Sequence, residues 1–103
     1  MKTMTVTAWG ETCEVYIKKD LYLDGNTCLT LYTTEGEGYS TITVNLQTFG
    51  NPKLAAIDTN NCKFAEELIS TYKLGKDTGM RIPSGFCVYP VYELDLKEID
   101  KYT

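Results

Sequence analysis

Histidine is absent from the 103 residues. That absence removes Ser–His and Cys–His nucleophilic mechanisms, and with them any metal centre built on paired imidazoles. The four cysteines, at 13, 28, 62 and 87, include no C-x-x-C pair, the spacing from which zinc sites usually draw their ligands. Neither a metal nor another cofactor is expected. No uninterrupted apolar run exceeds about four residues, far below the roughly 20 that a membrane-spanning helix needs. Phosphate-cradling loops are missing as well: Gly36-Glu37-Gly38 and Thr78-Gly79 lack the required spacing, lysine and strand-to-helix context. Nor is there an excess of positive charge. Ten basic against fourteen acidic residues give −4, which argues against direct nucleic-acid binding.

What is present describes an ordinary globular chain, 43% hydrophobic and 23% charged, able to bury a core as one domain over residues 1–103. Met1-Lys2-Thr3 runs straight into alternating residues without a leader pattern, so a bacterial-type cytoplasm and reduced thiols are expected.

The stretch from Leu54 to Gly75 carries a full set of helix signals. Asp58, Thr59, Asn60 and Asn61 offer oxygens to the open N–H groups of a helix start. Ala65, Leu68, Ile69 and Tyr72 then fall at i, i+3, i+4 and i+7, one apolar stripe. Gly75 suits the left-handed residue that ends a helix. The spacing predicts one main helix over about 61–74. Elsewhere the period is two. Met4, Val6 and Ala8 alternate with threonines, and Cys13, Val15 and Ile17 alternate with polar neighbours. Asp24-Gly25-Asn26 reads as a turn. Leu29, Leu31 and Thr33 pair with Ile42, Val44 and Leu46 as a hairpin around the glycines of 35–38, and Leu54–Ile57 is a short strand or an extended lead into the helix. Residues 76–85, with two glycines and a proline, read as a loop, and Phe86–Leu96 as the last strand, with Val88, Tyr92, Leu94 and Leu96 on its inner side. Pro90 marks a bulge or an edge there. The expected fold is α+β: an antiparallel sheet of five or six strands with the helix packed on one face.

Chemistry has little to work with. A thiol at a helix start, as at Cys62, gains acidity from the helix dipole, but no base stands beside it in the sequence, and a small buried thiol accounts for it equally. Asp58 with Asp77, or Glu66 with Glu67, could make an acid–base pair only by chance proximity. No catalytic residue is assigned. Binding is better supported. Asp58, Thr59, Asn60 and Asn61 could present donors and acceptors to a ligand, joined by Thr78 and Ser84 from the following loop; capping alone also explains them. Eight tyrosines are the second signal, with Tyr16, Tyr32, Tyr39 and Tyr89 expected on outward-facing positions suited to partner contact or cross-strand pairing.

The pattern D-T-N-N-C-x-x-A-E-E-x-I at 58–69, followed by L-G-K-D-T-G at 74–79 and S-G-F-C-V-Y-P-V-Y-E-L at 84–94, resembles a small family of unknown function carried by bacterial chromosomes, plasmids and phages, especially mobile elements. The glycines, Phe86 and the cysteines of that signature suit turns and core. What the resemblance implies is a non-catalytic binding protein of a phage or mobile element, an anti-defence inhibitor of the anti-CRISPR kind, acting by protein–protein contact or by sequestering a ligand. A protein partner, such as a host defence protein, is then expected. The alternative is a small enzyme or nucleotide-handling protein using the Asp58–Cys62 helix start and the 76–85 loop, which requires a cavity joining the two. A homodimer through sheet edges or the aromatic face is a third expectation.

Overall fold

Alternation fixes the first four strands. In the computed structural model, which describes residues 2–103, β1 (Met4–Ala8), β2 (Glu11–Leu21), β3 (Thr27–Thr33) and β4 (Gly38–Thr41) form an antiparallel meander in that order. Met4, Val6, Val15, Ile17, Leu29 and Leu31 turn the same way and are buried. The polar residues between them meet across the other face: Glu14 accepts hydroxyl bonds from Thr3 at 2.8 Å and Thr5 at 2.6 Å, and Thr30 lies 3.1 Å from Thr41.

The chain then leaves this sheet. The β3–β4 pairing slips between Leu31 and Tyr32, leaving Tyr39 as an extra residue, and ends at Thr41. Ile42 donates its N–H to Leu29 of the first sheet at 3.0 Å, while its carbonyl accepts from Asp58 beside the second at 2.8 Å. Next, β5 (Thr43–Val44) pairs with β6 (Leu54–Ile57) in a second four-stranded sheet of order β5-β6-β8-β7, where β7 is Gly75–Ser84 and β8 is Cys87–Leu94. The architecture is thus mixed α and antiparallel β, with two sheets of four strands in place of one sheet of five or six. Ile42 and Val44 do not extend the hairpin with β3. Of the two readings of Leu54–Ile57, the short strand is the one formed.

The helix is shorter than its signals suggest. α1 spans Ala65–Tyr72, with Phe64 at its N-cap and no side-chain capping bond. Asp58 instead closes the turn before it: its carboxylate accepts from the N–H of Asn61 at 3.1 Å and the Asn61 amide at 2.9 Å. Cys62 is drawn into the core there, so residues 58–64 make separate turns before the helix begins. Gly75 does not end the helix. Lys73 takes the left-handed conformation, φ 57°, as Leu74 enters the core. Gly75 opens β7, where an added Cβ would lie 2.7 Å from the Glu93 carbonyl oxygen, so a side chain would force the two strands apart.

Residues 76–84 form an edge strand where a loop was expected. Its register against β8 shifts between Asp77 and Arg81, and this bulge accommodates Gly79 at φ 85°. Pro90 pairs with Arg81 just past that shift and beyond the last β6 partner. Val88 faces solvent, contrary to the inner position that parity assigned it. Both faces of β8 are covered from Tyr89 to Tyr92, which blurs the alternation. The tail forms α2 (Leu96–Asp100), capped by Asp95, and Tyr102 accepts from Ile17 N–H at 2.7 Å where β1 no longer flanks β2.

The inner sides of both sheets, α1 and α2 share one core. Polar groups are buried at the seam between the sheets and are all satisfied there. The Thr43 hydroxyl accepts from Leu29 N–H at 3.2 Å, and Thr27 donates to the Pro52 carbonyl at 2.6 Å. The Asn26 amide donates to Asn45 at 2.8 Å and the Gln47 carbonyl at 2.6 Å, and accepts from Phe49 N–H at 3.1 Å. Thr43→Val preserves shape but strands the buried Leu29 N–H. Denaturant unfolding should show a loss of about 1–3 kcal/mol, the cost of one unsatisfied buried donor, with Thr43→Ser losing less.

Candidate functional site

The residues singled out in the sequence do not meet in one place. Asp58 and Asn61 share a turn in which their polar atoms satisfy each other, with Thr59 half-buried and Asn60 exposed. Thr78 serves the bulge, donating to the Val91 carbonyl at 2.7 Å and accepting from Met80 N–H at 3.1 Å. Ser84 is exposed at the far end of β7, paired with Cys87. Neither of the two main cavities is lined by any residue from Asp58 to Cys62.

The tyrosines divide three ways. Tyr16 and Tyr32 are opposed across β2 and β3 on the outer face of the first sheet, stacked with centroids 5.9 Å apart. Tyr39, freed by its bulge, joins Trp9 at 5.7 Å and Phe64 at 6.0 Å. Tyr89 is buried. They make no single aromatic face.

Cys62 is enclosed beside them. Its sulfur lies 2.8 Å from the Ser40 hydroxyl and 3.4 Å from the Thr41 carbonyl oxygen. Burial pushes the thiol up, against a smaller downward pull from Ser40. A thiol so placed is poorly ionised and hard to reach, the reverse of an activated nucleophile.

What the sequence left unassigned is more prominent. Three hairpin tips carry exposed apolar side chains: Trp9 between β1 and β2, Leu21 at the end of β2 with Leu23 in the turn after it, and Phe86 between β7 and β8. Phe86, expected in the core, is fully exposed, because Gly85 takes φ 60° and the tight turn points the next side chain outward. The one available signal was position: an aromatic just after a Ser-Gly turn between two strands. Trp9 sits at φ 52° with Gly10 at 77°, the left-handed pair of a tight hairpin turn. Its ring leans on Tyr39 and Phe64, tying that tip to the start of α1.

A charged pair spans the bulge of β7. Arg81 grips both Asp77 oxygens at 2.8 Å, and Gly79 N–H adds a bond at 2.9 Å. Across the sheet Tyr92 donates to Glu66 of α1 at 2.5 Å, and burial followed by this carboxylate raises the phenol.

The Arg81 fork, then the Gly79 N–H, holds Asp77 down at about 2. A carboxyl lowered on folding favours the folded state above its ordinary value of about 3.9. That contribution fades as the pH falls through about 2. Carbon-13 titration should find Asp77 at about 2, and in Arg81→Gln it should move up towards the ordinary carboxylate range.

No curated protein and no solved structure matches the chain. A family model does, over residues 17–103, which takes in everything from the second half of β2 onward and leaves out β1 and Trp9. The chain belongs to the family described as a domain of unknown function, DUF4313.

Proposed function

We propose that this chain is a non-catalytic binding protein that engages a protein partner through the tip of the β7–β8 hairpin. The observation that carries the reading is Phe86, 109% exposed at the end of a long strand pair. An aromatic ring held in water forgoes about 1.5–3 kcal/mol of transfer free energy, which a pocket on a partner would recover. Val88 and Met80 extend the apolar surface along the same hairpin, at 59% and 47% exposed. The paired strands beneath fix the backbone that carries the ring, so little backbone ordering is lost on docking. Phe86 also lies inside the span shared with the family, as Trp9 does not.

In its most specific form, drawn from the D-T-N-N-C signature, this reading makes the chain a mobile-element product and the partner a defence protein of the host. Inhibition would follow from Phe86 filling a pocket that the partner needs for its own work.

A photo-crosslinking phenylalanine analogue at position 86, expressed in the native host, should give one discrete heteromeric adduct. The same probe at Glu35, exposed on another loop, should not. Adducts only between copies, or none from position 86, would sink the proposal. Phe86→Ser should change unfolding stability by less than about 0.5 kcal/mol, as for a side chain outside the core, while abolishing recovery of that partner.

A further inference from the structure

At the opposite end of the same hairpin four lysines converge. Lys53 precedes β6, Lys73 ends α1, Lys76 lies in β7 and Lys97 in α2, and all four border one open groove of about 900 Å³. The chain carries ten basic residues against fourteen acidic ones, yet four of those ten gather here. Three acids share the lining, leaving an excess of one positive charge among the side chains that border the groove. Asp77 is held by Arg81, Glu93 lies 3.6 Å from Lys76, and Asp95 caps α2. Among the described residues Lys53, Lys73 and Lys97 have no carboxylate within 4.0 Å.

Backbone geometry adds an independent observation. Lys73 occupies the left-handed position that ends α1, where glycine or asparagine would sit with less strain. The residue at that place is charged and lies on the rim of the groove. No arginine borders it, so recognition of an anion falls to lysines, compact point charges that bind phosphate oxygens without a fixed fork. Half-buried Leu96 gives one wall apolar surface over the buried Leu94 and Tyr92, and the volume falls in the range of small-molecule sites, roughly 300–1,000 Å³.

We propose that this groove binds a small ligand bearing a di- or triphosphate group, with Lys53, Lys73 and Lys97 as its charge partners. The site is separate from the Asp58–Cys62 turn and from Phe86, so it stands or falls apart from the partner-binding reading.

The test is calorimetric titration of the full chain with inorganic tripolyphosphate, ATP and hexaglutamate at low and physiological salt. Tripolyphosphate should bind saturably and weaken with salt. Lys73→Gln combined with Lys97→Gln should lower its affinity by about tenfold or more, whereas Lys18→Gln with Lys63→Gln, outside the groove, should leave it unchanged. ATP binding more tightly than tripolyphosphate assigns a nucleotide to the apolar wall; equal affinities assign the phosphate chain alone; both support the site. Lys73→Gly separates binding from folding, since it relieves the left-handed strain: a raised unfolding midpoint together with weakened binding is the expected result. Absence of saturable binding, an equal loss in the control pair, or hexaglutamate binding as tightly as tripolyphosphate overturns the proposal.

Discussion

Ile42 is the residue on which the two sheets depend. Its N–H belongs to one sheet, its carbonyl to a bond beside the other, and its side chain is buried between them. A backbone with both polar groups committed in opposite directions cannot slide, so each sheet sets the position of its neighbour. Thr43 reinforces the joint from the next position by accepting the Leu29 N–H. Asn26 and Thr27 then draw the 45–52 loop onto the same seam. An apolar core supplies most of the stabilisation but little direction. These few buried polar groups supply the direction, because each has one arrangement that leaves nothing unpaired.

That joint has consequences at a distance. It makes β6 the inner neighbour of β8, which leaves β7 as an edge whose outer side nothing in the second sheet covers. Edge strands invite pairing with other chains, and β7 resists it by several features: a bulge at 78–80, the Asp77–Arg81 pair, Pro83 and an exposed Lys76. At the β1 edge of the first sheet, the Tyr72 hydroxyl accepts from Thr5 N–H at 2.7 Å. Protection of its flank lets the hairpin project Phe86 at one end while its base helps frame a lysine-bordered groove at the other.

The strand faces were legible in the sequence because burial on one side imposes period two: Met4 with Val6, Val15 with Ile17 and Leu29 with Leu31 all turn inward. The switch at Ile42 was not. Alternation runs through Ile42 and Val44 without interruption, and nothing in it says which strand lies alongside. Gly79 and Pro83 read as loop residues because an interior strand would reject them; an edge strand with a bulge accepts both, and Gly85 stands in the turn that follows it. The helix boundaries moved because Asp58 and Asn61 satisfied a turn of their own and the core claimed Leu74 ahead of Gly75. As for the site, tyrosine count said nothing about where each ring would point. The groove lysines, scattered from residue 53 to residue 97, become neighbours only through the fold.

One bond carries an implication for biosynthesis. The N–H of Ile17 is satisfied by the carbonyl of Tyr102, so the β1–β2 hairpin waits for residues translated long afterwards. Contacts this remote in sequence slow folding, and until they close, a stretch of β2 stays open to neighbouring nascent chains. Ribosomes stalled before residue 102 would therefore release products prone to clump through their first sheet.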